Sequence, residues 1–261
     1  MRWIHVTAIV LCTTAASWGA IDDDFDDNAA GPSWVVEENQ PADLGVVEQN
    51  QRVEVIATGQ TVRSDDALYR SDGAAGHALR TSSDFEAEVD FTLNAFRHVG
   101  DAGDDAAALG FVFGVGRDAD GTDVAAISWG LGDAGIFILS VYNWAYRTDD
   151  DQAGPMPLGP TPALGSTVTF VVAYDSVGDD LTLSVKDTAI SATLEDTVQA
   201  VWGADELMVS FGARGGGFEL SSGDAYFDNF HIVSGVHAPE PASLGLLGIG
   251  SLVMLRRRSR T

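Results

Sequence analysis

The chain has 261 residues, with 39 acidic side chains against 14 basic ones and a formal net charge of −25. That excess excludes a surface built to hold nucleic acid or anionic lipid, and it favours solubility, cation binding or a salty medium that screens self-repulsion. A single cysteine, Cys12, leaves no partner for an internal disulfide.

At the N-terminus Arg2 and His5 precede an apolar stretch from Val6 to Leu11, and small residues follow through Ala15, Ala16, Ser17 and Gly19. This order predicts a secretory signal peptide over residues 1–20, cut within 17–20, and therefore export through the Sec machinery. Cys12 falls inside the removed peptide. The mature protein then has no cysteine and must hold itself together by its core alone.

From residue 21 to 234 the chain reads as strand after strand. Short apolar or alternating runs at 52–58, 85–93, 108–116, 124–130, 135–146, 166–174, 181–185, 192–196, 207–213 and 225–233 are separated by Gly and Asp turns. No stretch has the period or length of a helix. Runs of this length, rich in Val, Ile, Phe and Tyr, predict an all-β fold, a two-sheet antiparallel jelly-roll sandwich. "YDSVGDDLTLSV" reads as a hairpin turned at Asp175, Gly178, Asp179 and Asp180. The main irregular stretch, 147–165, holds four of the eight prolines.

Residues 235–238 read as a linker, and 239–261 is a separate unit, "PEPASLGLLGIGSLVMLRRRSRT". Its apolar run, Ala242 to Leu255, is short against the roughly 17–25 residues that a spanning helix needs. The flanks are one-sided, with Pro239, Glu240 and Pro241 before the run and Arg256, Arg257, Arg258 and Arg260 after it. The basic end is expected to stay in the cytoplasm while the body lies outside. A hydrophobic helix inserted transiently through 242–255 is the expectation. Without residues 1–20 and 239–261 the body keeps nine basic and 38 acidic residues, and Lys186 is its only lysine.

Three groups of side chains could carry chemistry. In "FEAEVDF" the acids Glu86, Glu88 and Asp90 fall at every second position and so share one strand face, while Phe85, Ala87, Val89 and Phe91 take the other. Alternating acids also belong to any solvent-facing strand of an acidic protein. "DADGTD" gathers Asp118, Asp120 and Asp123 around Gly121, hard oxygen ligands suited to Ca²⁺ but without the bidentate Glu of an EF-hand. Asp22, Asp23 and Asp24, with Asp228, form a second candidate cation site if the terminal strands are neighbours. Tyr142, Trp144 and Tyr146 alternate beside Asn143, Arg147 and Asp149. Exposed, that stripe offers a stacking platform for sugars; turned inward, it is core. His77, His98 and His231 are scattered, and no zinc, nucleophile-elbow or phosphate-loop motif occurs.

The Pro-Glu-Pro, the small-residue apolar run and the terminal Arg cluster resemble the PEP-CTERM sorting signal. That resemblance implies recognition by an exosortase, an intramembrane transpeptidase-like enzyme, in a Gram-negative bacterium that makes extracellular polysaccharide. It also implies delivery to the cell surface or an exopolysaccharide matrix. "DDDFDDNAAGPSWVV", "AALGFVFGVG", "VVAYDSVGDDLTLSV" and "AYFDNFHIVSG" together resemble the concanavalin A-like, or laminin-G-like, superfamily. The fold this implies is two packed sheets of about six or seven strands with adjacent chain ends. The acids of "FEAEVDF" are similar to the Glu-x-Asp-x-Glu of its glycosidase branch, which would make Glu86 nucleophile, Glu88 helper and Asp90 acid/base; here the last position holds the shorter Asp. The expected function is a non-catalytic, lectin-like body engaging exopolysaccharide. A purely structural matrix component and a glycosidase stand as alternatives.

Overall fold

Period-two burial governs almost every element of this computed structural model, which describes residues 21–31, 34–58, 66–71, 78–99, 108–116, 124–131, 137–143, 156–159 and 162–234. In chain order the strands are β1 (Ile21–Asp23), β2 (Trp34–Glu38), β3 (Leu44–Gln49), β4 (Arg52–Thr58), β5 (Asp66–Ser71), β6 (Leu79–Arg80), β7 (Phe85–Leu93), β8 (Arg97–His98) and β9 (Ala108–Gly116). There follow β10 (Val124–Leu131), β11 (Phe137–Asn143), β12 (Met156–Gly159), β13 (Thr167–Asp175), β14 (Asp180–Val185), β15 (Ser191–Leu194), β16 (Glu206–Gly216) and β17 (Phe218–Ser234). One helical turn, Val198–Trp202, interrupts them. Among the described residues no helix is long and apolar enough to cross a membrane. The segments read as signal peptide and apolar helix lie outside the described residues.

Two antiparallel sheets form a jelly-roll sandwich. Sheet A runs β15-β14-β13-β7-β17-β4-β3, with β1 and β8 also on β17; sheet B runs β12-β11-β10-β9-β16-β5-β2, with β6 on β16. The expected adjacency of the chain ends is met by β1 against β17, where Ile21 pairs with Ile232 and Asp23 with Phe230. The chain changes sheets between β16 and β17 at Gly217, whose φ of +85° suits a glycine.

The core lies between the sheets. Phe91 of β7 sits at its middle, with ring centroids 4.8 Å from Phe111 and from Phe227, 5.4 Å from Trp129 and 5.8 Å from Phe170. A second aromatic group closes one end, where Phe25 and Trp34 meet Tyr69, Phe211 and Phe230. Each such ring taken from water contributes roughly 1.5–3 kcal/mol. With no cysteine in the body, this apolar burial is what opposes chain entropy.

The helical turn at 198–202 was not expected from the sequence. Its cause is distant in the chain: the carboxylate of Asp179 accepts hydrogen bonds from the backbone N–H of Gln199, 2.8 Å, and of Ala200, 2.9 Å. Trp202 and Val198 then insert into the core. A side chain twenty positions away thus does the work of an N-cap.

Candidate functional site

The sequence of β7 predicts acids on one face and apolar residues on the other. Phe85, Ala87, Val89 and Phe91 are indeed buried, and Glu86, Glu88 and Asp90 take the opposite face. The strand is central, between β13 and β17. Two of its three carboxylates, those of Glu88 and Asp90, are engaged by protein groups. Lys186 Nζ donates to both oxygens of Glu88, at 2.9 and 2.6 Å. Asp90 accepts from Thr169 Oγ1 at 2.5 Å and from Asn229 Nδ2 at 3.0 Å. Residues opposite in the ladder are Ala173 for Glu86, Val171 for Glu88 and Thr169 for Asp90.

The bulge in β17 brings one further acid, Asp228, and the amide of Asn229 to this face. Asn229 has φ of +50°, and register slips between Asp228 and His231, so Asp228 and Asn229 both meet the outer side near Asp90. Burial raises the Asp228 carboxyl above its usual range; the Asn229 amide opposes this, and the charges of Asp90 and Asp24 add to the rise. β1, just before Asp24, pairs with β17 through Asp23 and Phe230, two residues beyond Asp228. The side chain of Asp22 lies outside the described residues, although its backbone pairs with His231. Among the described residues no three His, Cys, Asp or Glu side chains converge closely enough to share a metal ion.

Asp118, Asp120 and Asp123 lie outside the described residues, as do Trp144 and Tyr146, and Pro239 to Arg258. β11 places Tyr142 opposite Ala126 and Asn143 opposite Ala125. Ala125 belongs to the main core and Ala126 to a separate small cluster with Val112; the side chains of Tyr142 and Asn143 lie outside the described residues. A Cβ at Gly110 would come 2.8 Å from Ser128 Oγ, which is buried without a hydrogen-bond partner among the described residues.

Sequence reasoning missed three polar clusters. Glu54 is fully buried and accepts from Gln49, Asn50, Arg52, Ser222 and Gly223. Burial alone would raise its pKa; the bonds from Ser222, Arg52, Asn50 and Gln49 overcome that and hold it at about 2. Arg52 also stacks on Tyr226, 4.0 Å from the ring centroid. Glu48, also buried, accepts from Tyr69 Oη at 2.7 Å and from the N–H of Ala29 at 3.0 Å. Burial and the neighbouring Asp27 push its carboxyl up, against those two donors.

The third cluster lines a cleft. Arg80, Thr81, Ser82, Gln199, Asp205 and Glu206 surround an open space of about 560 Å³ where β6 joins β16 beside the helical turn. Its floor is preset. Thr81 Oγ1 donates to the carbonyl of Ala204 at 2.7 Å, and Gln199 Nε2 donates to that carbonyl at 2.6 Å and to Thr81 Oγ1. Arg80 and Glu206 pair across the rim at 3.3 Å, both about half exposed. Nothing in local spacing pointed here, because residues 80–82, 199 and 205–206 meet only through the sheet.

The PEP-CTERM protein-sorting motif matches residues 237–259, close to the 239–261 read from the sequence. It implies exosortase-dependent export and a cell-surface or extracellular destination. No curated protein matches the chain by sequence. Similar solved structures include a winged bean acidic lectin complexed with methyl-α-D-galactose, 12% identical, covering 84% of this chain and 98% of the lectin with a TM-score of 0.46. An endo-1,3-β-glucanase from Streptomyces sioyaensis is 13% identical over 84% of this chain and 95% of its own, with a TM-score of 0.47. An alginate lyase from Pseudomonas aeruginosa is 12% identical over 72% and 84%, with a TM-score of 0.49. These are likenesses of strand arrangement, and no residue role is taken from them.

Proposed function

We propose that residues 21–234 form a non-catalytic carbohydrate-binding module that the C-terminal tail delivers to the cell surface or to an exopolysaccharide matrix. The observation that carries this reading is the sorting motif at 237–259, which ties the body to an extracellular destination. Chemistry at β7 fits poorly with hydrolysis. A retaining glycosidase needs one carboxylate free to attack and another free to carry a proton, about 5–5.5 Å apart. Here Glu88 is neutralised by Lys186 through both oxygens, and Asp90 is occupied by Thr169 and Asn229. Those bonds tether both side chains to neighbouring protein groups, so neither is left free to move onto a substrate. Polar clefts and strand faces that present hydroxyls and amides suit recognition of sugars by hydrogen bonding.

The test is retention of the full chain by purified bacterial polysaccharides, with reducing ends assayed in the same samples. Binding without release of reducing ends is the expected result. Hydrolysis that disappears in Glu86→Gln would replace this reading with a glycosidase. Absence of binding to every polysaccharide tried would leave a structural matrix component instead.

A further inference from the structure

We infer that the cleft between β6, β16 and the 198–202 turn is a binding site for an uncharged, polyhydroxylated ligand, a neutral saccharide, which rests on the carbohydrate-binding reading above and gives it a location and a charge class. The cleft's volume of about 560 Å³ lies within the roughly 300–1,000 Å³ of small-molecule sites.

Its groups divide into those that build it and those left over. Thr81 and the Gln199 amide nitrogen are consumed in holding the floor to Ala204. Asp179 fixes the Gln199 backbone from the other side. Gln199 Oε1 is consequently locked in place with no donor from the described residues. The Ser82 hydroxyl and the Asp205 carboxylate, both exposed, are also without side-chain partners among them. Among the described residues Arg80 and Glu206 are engaged only with each other across an exposed rim, a pairing that is cheap to open. The result is one fixed acceptor at Gln199, one exposed carboxylate at Asp205, one hydroxyl that both gives and takes, and one guanidinium. Vicinal hydroxyls of a sugar satisfy such a set, donating to Gln199 Oε1 and Asp205 and accepting from Ser82 and Arg80.

Charge selects among saccharides. The lining holds one cation and two carboxylates, and the chain as a whole carries −25. A polyuronate would meet net repulsion both locally and at long range, so uncharged polymers are preferred. Among the described residues no aromatic ring lines the cleft, so single sugars bind weakly and retention comes from repeated engagement along a polymer.

Affinity electrophoresis of the full chain through gels containing a neutral β-glucan or alginate tests this. Ser82→Trp fills the cleft from an exposed position, and Asp205→Ala removes an acceptor at a second exposed position; circular dichroism checks that both fold. The expected result is retardation by the glucan, little by alginate, and retardation weakened about tenfold in both variants. Equal retardation of wild type and both variants would overturn the cleft assignment while leaving carbohydrate binding in place. Alginate binding lost in Ser82→Trp would overturn the charge class. No retardation by either polymer would remove the functional reading and this site with it.

Discussion

Glu48 and Glu54 sit on one hairpin, β3 and β4, yet their protonation pulls stability in opposite directions. Glu54 has its folded pKa depressed from the ordinary 4.5 to about 2, so it stabilises the fold above about pH 4.5 and loses that contribution as pH falls toward 2. Its upper limit is about 3 kcal/mol. In urea titrations Glu54→Gln should cost about 3 kcal/mol at pH 7 and much less at pH 3; an equal loss at both would assign the residue a packing role. Glu48 is shifted upward, so its stabilisation is present below pH 4.5 and is lost as pH rises through the raised value. Glu48→Gln keeps an acceptor for the Ala29 N–H, and its amide nitrogen, in place of the oxygen that accepts from Tyr69, can donate to the Tyr69 hydroxyl. It should raise the melting temperature at pH 8 and leave it little changed at pH 4; a lower melting temperature at pH 8 would show that the carboxylate is needed ionised.

At the scale of elements, β4, β7 and β9 were legible to the residue at 52–58, 85–93 and 108–116, because each alternates cleanly or is buried on both faces. β2 and β3 were missed. "WVVEE" and "LGVVEQ" are edge strands whose acids serve as structural acceptors, as Glu38 does for the N–H of Val46 at 2.8 Å, and that purpose is invisible in a local pattern. β12, "MPLG", tolerates its proline because it is an edge. β16 and β17 ran longer than the apolar runs within them, since glycines that read as breaks carry the chain between sheets. The faces of β7 were legible too, but the ties of Glu88 to Lys186 and Asp90 to Asn229 span about a hundred positions or more and needed the register. Strand packing makes a sharp prediction at Gly114, where a Cβ would lie 2.1 Å from the carbonyl oxygen of Ala125. Gly114→Val should cost about 3 kcal/mol or more by denaturant titration, comparable to the roughly 3–5 kcal/mol expected for Phe91→Ala. A loss below about 1 kcal/mol would contradict the close approach of β9 and β10.

For the whole molecule, a body with 38 acids and nine basic residues must fold against its own repulsion. Raising salt from about 10 mM to about 500 mM shortens the Debye length from roughly 30 Å to under 5 Å, and the melting temperature should rise by several degrees. A flat salt response would mean that the acids are already neutralised within the fold. The sandwich and the sorting tail belong to one account, in which the tail sets the destination and the body meets what is there. The most direct test is the intact mass of the protein recovered from the surface or matrix of cells that express it. A species lacking the apolar run 242–255 and Arg256 to Arg258 is predicted; a surface protein that keeps its complete tail would contradict the account.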